Sequence, residues 1–404
     1  MAPDRAPIPC PVDVSWLAKE GAILGKAAGT PRRPLIAGGS GLIGSNLLVL
    51  LANSPGCEKV RVVDLRPPSP DVVRGIEDKV EFVEGRFGPG TYDRLLEAAK
   101  GTDCVFMVFT PHVMHATAEE FYSTNVTGVD ELTRACVDAG VRRIIQTSSI
   151  AISHMFVESF NQAESVPFPA IETYQSPYDI SKRQGEEIVL AASSSGKVRT
   201  CSIRAGGVLL GPRDFLFSNV WPIIPGVFIV PLGKPVDWID GRDVSRAMLL
   251  AAQALQERPR DVEGQAFWVT GIPVQPGEVA RITAGLLRYP FVPLPMIFAA
   301  GLCFALRVAY YAMRLLGCRV PGVRPDQIVS AAFYQKTFDN SKVRKALGFE
   351  AKFSLEESCS RVVDLYLQEN GRSRGPHRFI TFALCSGLAP LALASAAMLY
   401  RPHR

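Results

Sequence analysis

The sequence predicts an α/β protein with a doubly wound parallel sheet, a smaller C-terminal lobe and a C-terminal transmembrane helix. Short apolar runs, typical of buried strands, alternate with helical stretches. The runs cover 34–38, 60–65, 80–83, 104–109, 143–147 and 199–203, and helical stretches cover 92–100, 119–139 and 181–192. A glycine-rich turn also joins the first run to an apolar helix. Both features are typical of repeated βα units, whose ligand sites lie beyond the carboxyl ends of the strands.

Five parts are predicted along the 404 residues. Residues 1–33 are rich in proline, lack the apolar run of a secretory signal and form an extension of unknown role. A nucleotide-binding domain of the Rossmann type covers 34–210, and a substrate-binding lobe interleaved with it covers 211–368. A basic linker at 369–378 leads to an apolar segment at 379–400.

The glycine turn indicates a dinucleotide site. Gly38, Gly41 and Gly44 are spaced GxxGxxG between a strand and a helix. This spacing lets the backbone turn sharply and approach a pyrophosphate at the helix N-terminus. Asp64 ends the second strand, where its carboxylate can accept hydrogen bonds from ribose hydroxyls and would repel a 2′-phosphate. We therefore expect NAD, with NADP as the alternative because Arg66 can pair with that phosphate.

A second pattern indicates proton transfer. Tyr178 and Lys182 lie four residues apart on a predicted helix, so they share one face and the ammonium can lower the pKa of the phenol. Thr147, Ser148 and Ser149 end an earlier strand run, so this group can place a hydroxyl at the same edge of the sheet. In this order, downstream of the glycine turn, these residues predict oxidation or reduction at a carbon bearing oxygen.

Charge and cysteine distribution exclude other classes of function. The net charge is +5, and five arginines with no acidic residue follow Gly371, so the basic charge belongs to the tail. This position does not fit a nucleic-acid interface. The nine cysteines are dispersed without a CxxC pair, which predicts reduced thiols in a cytosol-facing domain and no metal site.

Residues 379–400 predict a transmembrane anchor. This run has 22 residues without a charge, and as a helix it would be about 33 Å long, enough to cross the hydrocarbon core of a bilayer. Arg372, Arg374 and Arg378 precede it and Arg401 and Arg404 follow, which favours a catalytic domain in the cytosol.

A second apolar stretch, at 295–317, carries Arg307 and Arg314 seven residues apart on one helical face. This pattern favours a helix lying in the membrane surface, or a core helix with a polar stripe, over a spanning helix. In the stretch 214–233, large apolar residues form either the walls of a flat apolar pocket or ordinary packing. The candidates are Phe215, Phe217, Trp221 and Ile224.

Several longer motifs carry a family resemblance over roughly residues 34–367. They are AGGSGLIGS, VRVVDL, NVTGVDELTRAC, RRIIQTSSI, SPYDISK, SIRAGGVLLGPRD, VDWIDGRDV and FDNSKVRKALGFEAKFSLEE. The chain resembles the extended short-chain dehydrogenase/reductases, in particular the 3β-hydroxysteroid dehydrogenase branch with its decarboxylating sterol-4α-carboxylate dehydrogenases. It departs from the usual family pattern at Ala37, Arg86, Met107, Phe109 and Ala205.

The resemblance implies roles for individual residues. Tyr178 becomes the proton acceptor, Lys182 the cofactor-binding lysine, and Ser149 or Ser148 the catalytic serine. The implied cofactor contacts are Gly38, Gly41, Leu42, Ile43, Gly44, Asp64, Arg66, Thr110, Lys182, Ala205 and Gly207.

The resemblance also implies oxidation of the 3β-hydroxyl of a sterol or triterpenoid, with loss of CO₂ from a 4α-carboxysterol. The alternatives are a dehydrogenase/isomerase, a reductase of another lipid or an aromatic aldehyde, and a nucleotide-binding scaffold without activity. The expected location is the endoplasmic reticulum membrane. Candidate partners are a second copy of the chain and other sterol-processing enzymes.

Overall fold

The computed structural model describes residues 12–113, 115–209 and 228–370. In these ranges the strands are β1 (Pro34–Ala37), β2 (Val60–Asp64), β3 (Val80–Glu84), β4 (Cys104–Met107), β5 (Arg143–Ser149), β6 (Ser159–Gln162), β7 (Arg199–Ala205), β8 (Gly207–Leu209), β9 (Phe228–Pro231), β10 (Val236–Asp240), β11 (Gln265–Val269), β12 (Ile272–Val274), β13 (Phe291–Leu294) and β14 (Lys336–Phe338). The α-helices are α1 (Val14–Leu24), α2 (Leu42–Ala52), α3 (Pro70–Val73), α4 (Tyr92–Ala99), α5 (Ala118–Tyr122), α6 (Val129–Asp138), α7 (Pro177–Ala192), α8 (Gly241–Glu257), α9 (Pro259–Val262), α10 (Pro276–Leu287), α11 (Met296–Leu315), α12 (Pro325–Ala331), α13 (Ser341–Leu347) and α14 (Leu355–Asn370).

Seven parallel strands form the central sheet, in the order β11-β7-β5-β4-β1-β2-β3. All six apolar runs predicted as strands lie in this sheet. The seventh strand, β11, comes from the later part of the chain, after 211. The order places β1 and β4 side by side at the point where the winding reverses, which is where this fold binds its ligands.

Both faces of the central sheet are buried because successive strand residues point to opposite faces. Ile36 packs into the cluster formed with α1, α2 and α8, whereas Leu35 packs into the cluster formed with α4 and α6. Leu17 of α1 is fully buried in the first cluster. Part of the N-terminal extension is therefore a helix that covers α2.

Two predicted helices have different bounds in the structure. The stretch 119–139 is interrupted by a π-helical segment at Ser123–Gly128, between α5 and α6. In this segment the Asn125 side chain donates to the Ser181 hydroxyl at 3.0 Å. Helix α7 begins at Pro177, earlier than predicted, because a proline fits the first helical position and the Ser176 hydroxyl caps the helix.

A second sheet has the order β12-β10-β14-β6, with β8 paired to β10, and β9 pairs with β13. Helices α10 and α14 pack together beside it around Val279 and Val363. The candidate pocket residues Phe215, Phe217, Trp221 and Ile224, and the predicted anchor at 379–400, lie outside the described residues.

Helix α11 is the one helix in the described part of the chain that is long and apolar enough to cross a membrane. Its buried residues are Ala299 and Cys303. Most of its large apolar side chains are exposed, so of the two alternatives predicted for this stretch the core helix with a polar stripe is wrong. Arg307 pairs with Asp326 of α12 at 2.9 Å, which joins the polar side of α11 to the rest of the protein.

Candidate active site

The glycine turn after β1 has no room for side chains. Gly38 has φ +89°, and a Cβ there would lie 2.8 Å from Phe109 Cα. A Cβ on Gly44 would lie 2.2 Å from the Gly38 carbonyl oxygen. No side chain caps α2 at Gly41, so the amides of Leu42, Ile43 and Gly44 are the orphan donors of a helix N-terminus. Such a terminus attracts a phosphate group.

The carboxylate of Asp64 is held against this turn. It accepts hydrogen bonds from the Ser40 amide at 3.0 Å and from the Leu65 amide at 2.7 Å. The Ser40 hydroxyl donates to the Arg66 carbonyl oxygen at 2.6 Å, while the Arg66 side chain is exposed. The structure therefore brings together Asp64, Arg66 and the glycine turn, which the sequence had placed at one site.

Two phenylalanines border the same turn. The rings of Phe87 and Phe109 stack with centroids 3.9 Å apart and planes 9° apart. Phe109 and the exposed Thr110 follow β4, the strand beside β1. Sequence reasoning noted Phe109 only as a departure from a family pattern and missed Phe87, because nothing in their spacing indicates that they stack.

Tyr178, Lys182 and Ser149 meet at the end of β5. Tyr178 is the second residue of α7, and its phenol faces the Ser149 hydroxyl, which acts to lower the phenol's pKa. One turn later, the buried Lys182 ammonium donates to the Thr147 carbonyl oxygen at 2.6 Å. The hydroxyl, the phenol and the ammonium thus lie at the carboxyl edge of the parallel sheet, as a proton-transfer site in this fold requires.

Burial controls the charge of both titratable groups. It raises the pKa of Tyr178 to about 12, although the nearby Ser149 hydroxyl acts in the opposite direction. It also lowers the pKa of Lys182 to about 8, against the attraction of the Glu186 carboxylate. The pKa of the phenol is therefore shifted in the direction opposite to the one expected from Lys182, whose ammonium is directed to the Thr147 carbonyl.

The two candidate serines differ in their surroundings. The Ser149 hydroxyl contacts Tyr178 and accepts a hydrogen bond from the Ala151 amide at 3.1 Å. The Ser148 hydroxyl is buried and has no hydrogen-bond partner among the described residues. Successive strand residues face opposite sides of the sheet, so only one serine can point to Tyr178. This geometry favours Ser149.

The segment predicted to lie beside the nicotinamide adjoins the serine strand. Ala205 of β7 is directly opposite Ser149 of β5, and Gly207 begins β8, where it pairs with Trp238. On the other side of the site, Phe121 packs edge-on against the Tyr178 ring, with centroids 5.6 Å apart.

Comparison with known proteins agrees with this arrangement. Residues 35–278, more than half of the chain, match the 3-beta hydroxysteroid dehydrogenase/isomerase family. The chain belongs to this family. Members are 3β-hydroxysteroid dehydrogenases, an NAD-dependent oxidoreductase family.

Individual members of this family have low sequence identity to this chain. The 3beta-hydroxysteroid-dehydrogenase/decarboxylase isoform 1 of Arabidopsis thaliana is 27% identical over 83% of this chain and 80% of its own length. The decarboxylating sterol-4-alpha-carboxylate 3-dehydrogenase ERG26 of Candida albicans is 25% identical over 82% of this chain and 96% of its own.

Solved structures confirm the fold of this family member. MoeE5, in complex with UDP-glucuronic acid and NAD, has a TM-score of 0.60 and 22% identity, covering 83% of this chain and 99% of its own. The dTDP-glucose 4,6-dehydratase DesIV of Streptomyces venezuelae, with NAD bound, has a TM-score of 0.64 and 19% identity, covering 84% and 98%.

A buried ion pair beside Lys182 in this dehydrogenase was missed by the sequence reasoning. The Arg204 guanidinium binds both carboxylate oxygens of Glu186, at 2.7–3.1 Å, and lies 4.7 Å from the Trp268 ring centroid. Glu186 follows Lys182 by four residues on α7 and also accepts from the Ser202 hydroxyl. The i, i+4 spacing on the catalytic helix was the available signal.

Proposed function

We propose that the protein oxidises the 3β-hydroxyl of a sterol or triterpenoid with NAD, and that a 4α-carboxylated substrate then loses CO₂. The observation that carries this proposal is the meeting of Ser149, Tyr178 and Lys182 at the sheet edge beside the glycine turn. The activities for which the Arabidopsis and Candida relatives are named support the substrate class.

The glycine turn suits a dinucleotide for steric and electrostatic reasons. The tight approaches at Gly38 and Gly44 and the uncapped N-terminus of α2 form a cradle for a pyrophosphate. Asp64, held by the Ser40 amide, is the group for the ribose hydroxyls, with Arg66 beside it. NAD supplies the acceptor for the hydride that leaves the substrate carbon.

The protein's residues handle the proton. Ser149 and Tyr178 hydrogen-bond the substrate hydroxyl, and Tyr178 removes its proton as the carbon–hydrogen bond breaks. A phenolate is costly in this buried position, because burial raises the pKa of Tyr178. The hydrogen bond from Ser149 and the positive charge of Lys182 therefore have to stabilise the phenolate when it acts.

Loss of CO₂ needs no further catalytic base. Oxidation next to a carbon bearing a carboxylate gives a β-keto acid. When its carbon–carboxylate bond breaks, the electron pair moves onto the ketone oxygen as an enolate, which a proton converts to the enol and then the ketone. A ring double-bond isomerase would need an additional acid/base pair. The decarboxylating reaction therefore requires fewer catalytic groups at this site than the isomerase reaction does.

Attachment to a membrane completes the proposal. Helix α11 lies in the membrane surface through its exposed side chains Ile297, Phe298, Phe304 and Leu315, and residues 379–400 anchor the chain in the endoplasmic reticulum with the catalytic domain in the cytosol. Ile328 of α12, which packs against α11, belongs with Tyr178 to one apolar cluster. A sterol leaving the bilayer beside α11 would reach that cluster. A homodimer, or a complex with other sterol-processing enzymes, stays a prediction.

A direct assay tests the reaction. Purified protein is incubated with a 4α-carboxysterol and either NAD⁺ or NADP⁺, and both reduced nicotinamide and CO₂ are measured. We expect both products to form in equal amounts, with NAD⁺ preferred. Reduction without CO₂, or reduction only with a 3β-sterol that lacks the carboxylate, would contradict the decarboxylating reaction.

A further inference from the structure

A buried cation and a buried anion hold opposite ends of one peptide bond behind the active site. The Lys336 ammonium donates to the His154 carbonyl oxygen at 2.7 Å, and the Met155 amide faces the Asp179 carboxylate and lowers its pKa. The carbonyl of residue 154 and the amide of residue 155 belong to the same planar unit. Lys336 is fully buried and Asp179 is 4% exposed.

The clamped peptide lies where the backbone is strained. His154 has φ +70° and ψ 99°, a conformation that residues other than glycine rarely adopt. Such a conformation persists only when its surroundings impose it. Its ring also contacts the Thr173 carbonyl oxygen at 3.0 Å and packs on Tyr174, whose hydroxyl donates to the Ile152 carbonyl.

This strained turn joins the two catalytic side chains. The short helix Ile150–Ser153 directly follows Ser149, and residues 154 and 155 end it. Asp179 directly follows Tyr178 on α7, while Lys336 belongs to β14 of the second sheet. A shift of the 154–155 peptide would therefore move the Ser149 segment relative to the helix that carries Tyr178.

The two charges are costly to bury, which makes a purely incidental placement unfavourable. Burial lowers the pKa of Lys336 and raises that of Asp179, and their mutual attraction opposes both shifts. Lys336 also donates to the Ser153 and Ser159 hydroxyls, both at 3.2 Å. All of its described hydrogen-bond acceptors are neutral, so the charges of Asp179 and, more weakly, Glu158 compensate it at longer range.

We propose that Asp179 and Lys336 are positioning residues that clamp the 154–155 peptide and thereby hold Ser149 in register with Tyr178. The inference rests on the proposed function in one respect, because it takes Ser149 and Tyr178 as the reacting pair. The clamp itself is defined by contacts outside the cofactor and substrate sites.

The test compares Lys336→Met and Asp179→Asn with the wild type. Lys336→Met keeps the length of the side chain but removes its charge and donors. We expect kcat to fall by about tenfold to hundredfold in each, because small misplacement of a catalytic group has effects of that size. NAD affinity, measured by titration, should change by less than about threefold, because neither residue is near the glycine turn.

Three further measurements separate positioning from general stability. Lys336→Arg, which keeps the charge, should recover most of kcat. The double variant should lose less than the product of the two single losses, because both changes free the same peptide. Glu131→Gln is the matched control: Glu131 is 7% exposed on α6 and accepts from the Gly90 and Thr91 amides, and none of these contacts involves residues 150–155, α7 or β14. Its kcat should stay within about threefold of the wild type.

Hydrogen exchange tests the clamp without turnover. The Met155 amide should exchange slowly in the wild type and quickly in Lys336→Met and Asp179→Asn. Unchanged exchange, or a kcat within threefold of the wild type, would overturn the inference. A wild type that oxidises another secondary alcohol but no sterol would contradict the proposed substrate alone, and the same kcat comparison would then use that alcohol.

Discussion

The central sheet buries its large apolar side chains, whereas helix α11 exposes most of them. In the sheet, Ile36, Phe106 and Ile145 are fully buried between helices. On α11, Ile297, Phe304 and Leu315 are 78%, 71% and 88% exposed. Exposed apolar residues that occur singly are common, but a continuous row along a 20-residue helix indicates a binding surface. The first region is therefore a packed interior, whereas the second leaves a row of apolar side chains exposed, which is why the proposed membrane contact is assigned to α11.

Replacing the Tyr178 phenol should have the largest effect on activity, because the proposed proton acceptor lies at the edge of the central sheet and not on α11. Tyr178→Phe removes the proton acceptor while keeping the ring against Phe121. We expect kcat to fall about a thousandfold, with little change in NAD binding or vesicle binding. Steady-state kinetics and NAD titration measure this. Retained activity would show that the proton acceptor is another residue.

Adding one methyl group should change stability in opposite directions in the two regions, because the glycine turn is tightly packed and the exposed face of α11 is not. Gly44→Ala would place a Cβ 2.2 Å from the Gly38 carbonyl oxygen, so we expect a loss of about 1–3 kcal/mol in the free energy of unfolding and at least about tenfold weaker NAD binding. Gly301→Ala on α11 meets nothing within 4 Å and should stabilise the helix by up to about 1 kcal/mol. Denaturant unfolding and NAD titration measure both; equal effects would contradict the packing difference.

Charges on the exposed face of α11 should weaken membrane binding. In a chain ending at Arg378, the double change Phe298→Glu and Phe304→Glu should lower partitioning onto phospholipid vesicles at least about tenfold, because both rings leave the apolar phase. Activity on detergent-dispersed substrate should remain. Phe160→Glu is the control, since Phe160 is 63% exposed on β6, away from α11. Equal vesicle binding by the unchanged chain, the double variant and the control would show that α11 does not lie in the membrane surface.

The smallest expected effect concerns cofactor choice. The Arg66 side chain is exposed, and the structure holds this residue to the turn through its backbone carbonyl. Arg66→Ala should therefore change the KM for NAD by less than about threefold and raise the KM for NADP by about fivefold, as expected for an exposed charge pair. Kinetics with both cofactors measure the ratio. A large loss with NAD would mean that Arg66 contacts NAD itself.

The sequence alone determined the sheet and the residues at its edge. Strand periodicity and the glycine turn are local signals, so all six predicted strands were confirmed. The spacing of Tyr178 and Lys182 likewise depends only on the helix repeat. Local signals also predicted that α11 is a helix, but they left open whether its apolar face was buried.

Tertiary structure decided the features that depend on distant parts of the chain. The exposure of α11, the fully buried Lys336, and the clamp that joins residues 154 and 155 to Asp179 are contacts between segments far apart in sequence. The pKa of Tyr178 is also decided by tertiary structure. Burial raises this pKa, whereas Lys182, the neighbour at i+4, was expected to lower it. Desolvation depends on everything packed around a side chain, and no periodicity in the sequence records it.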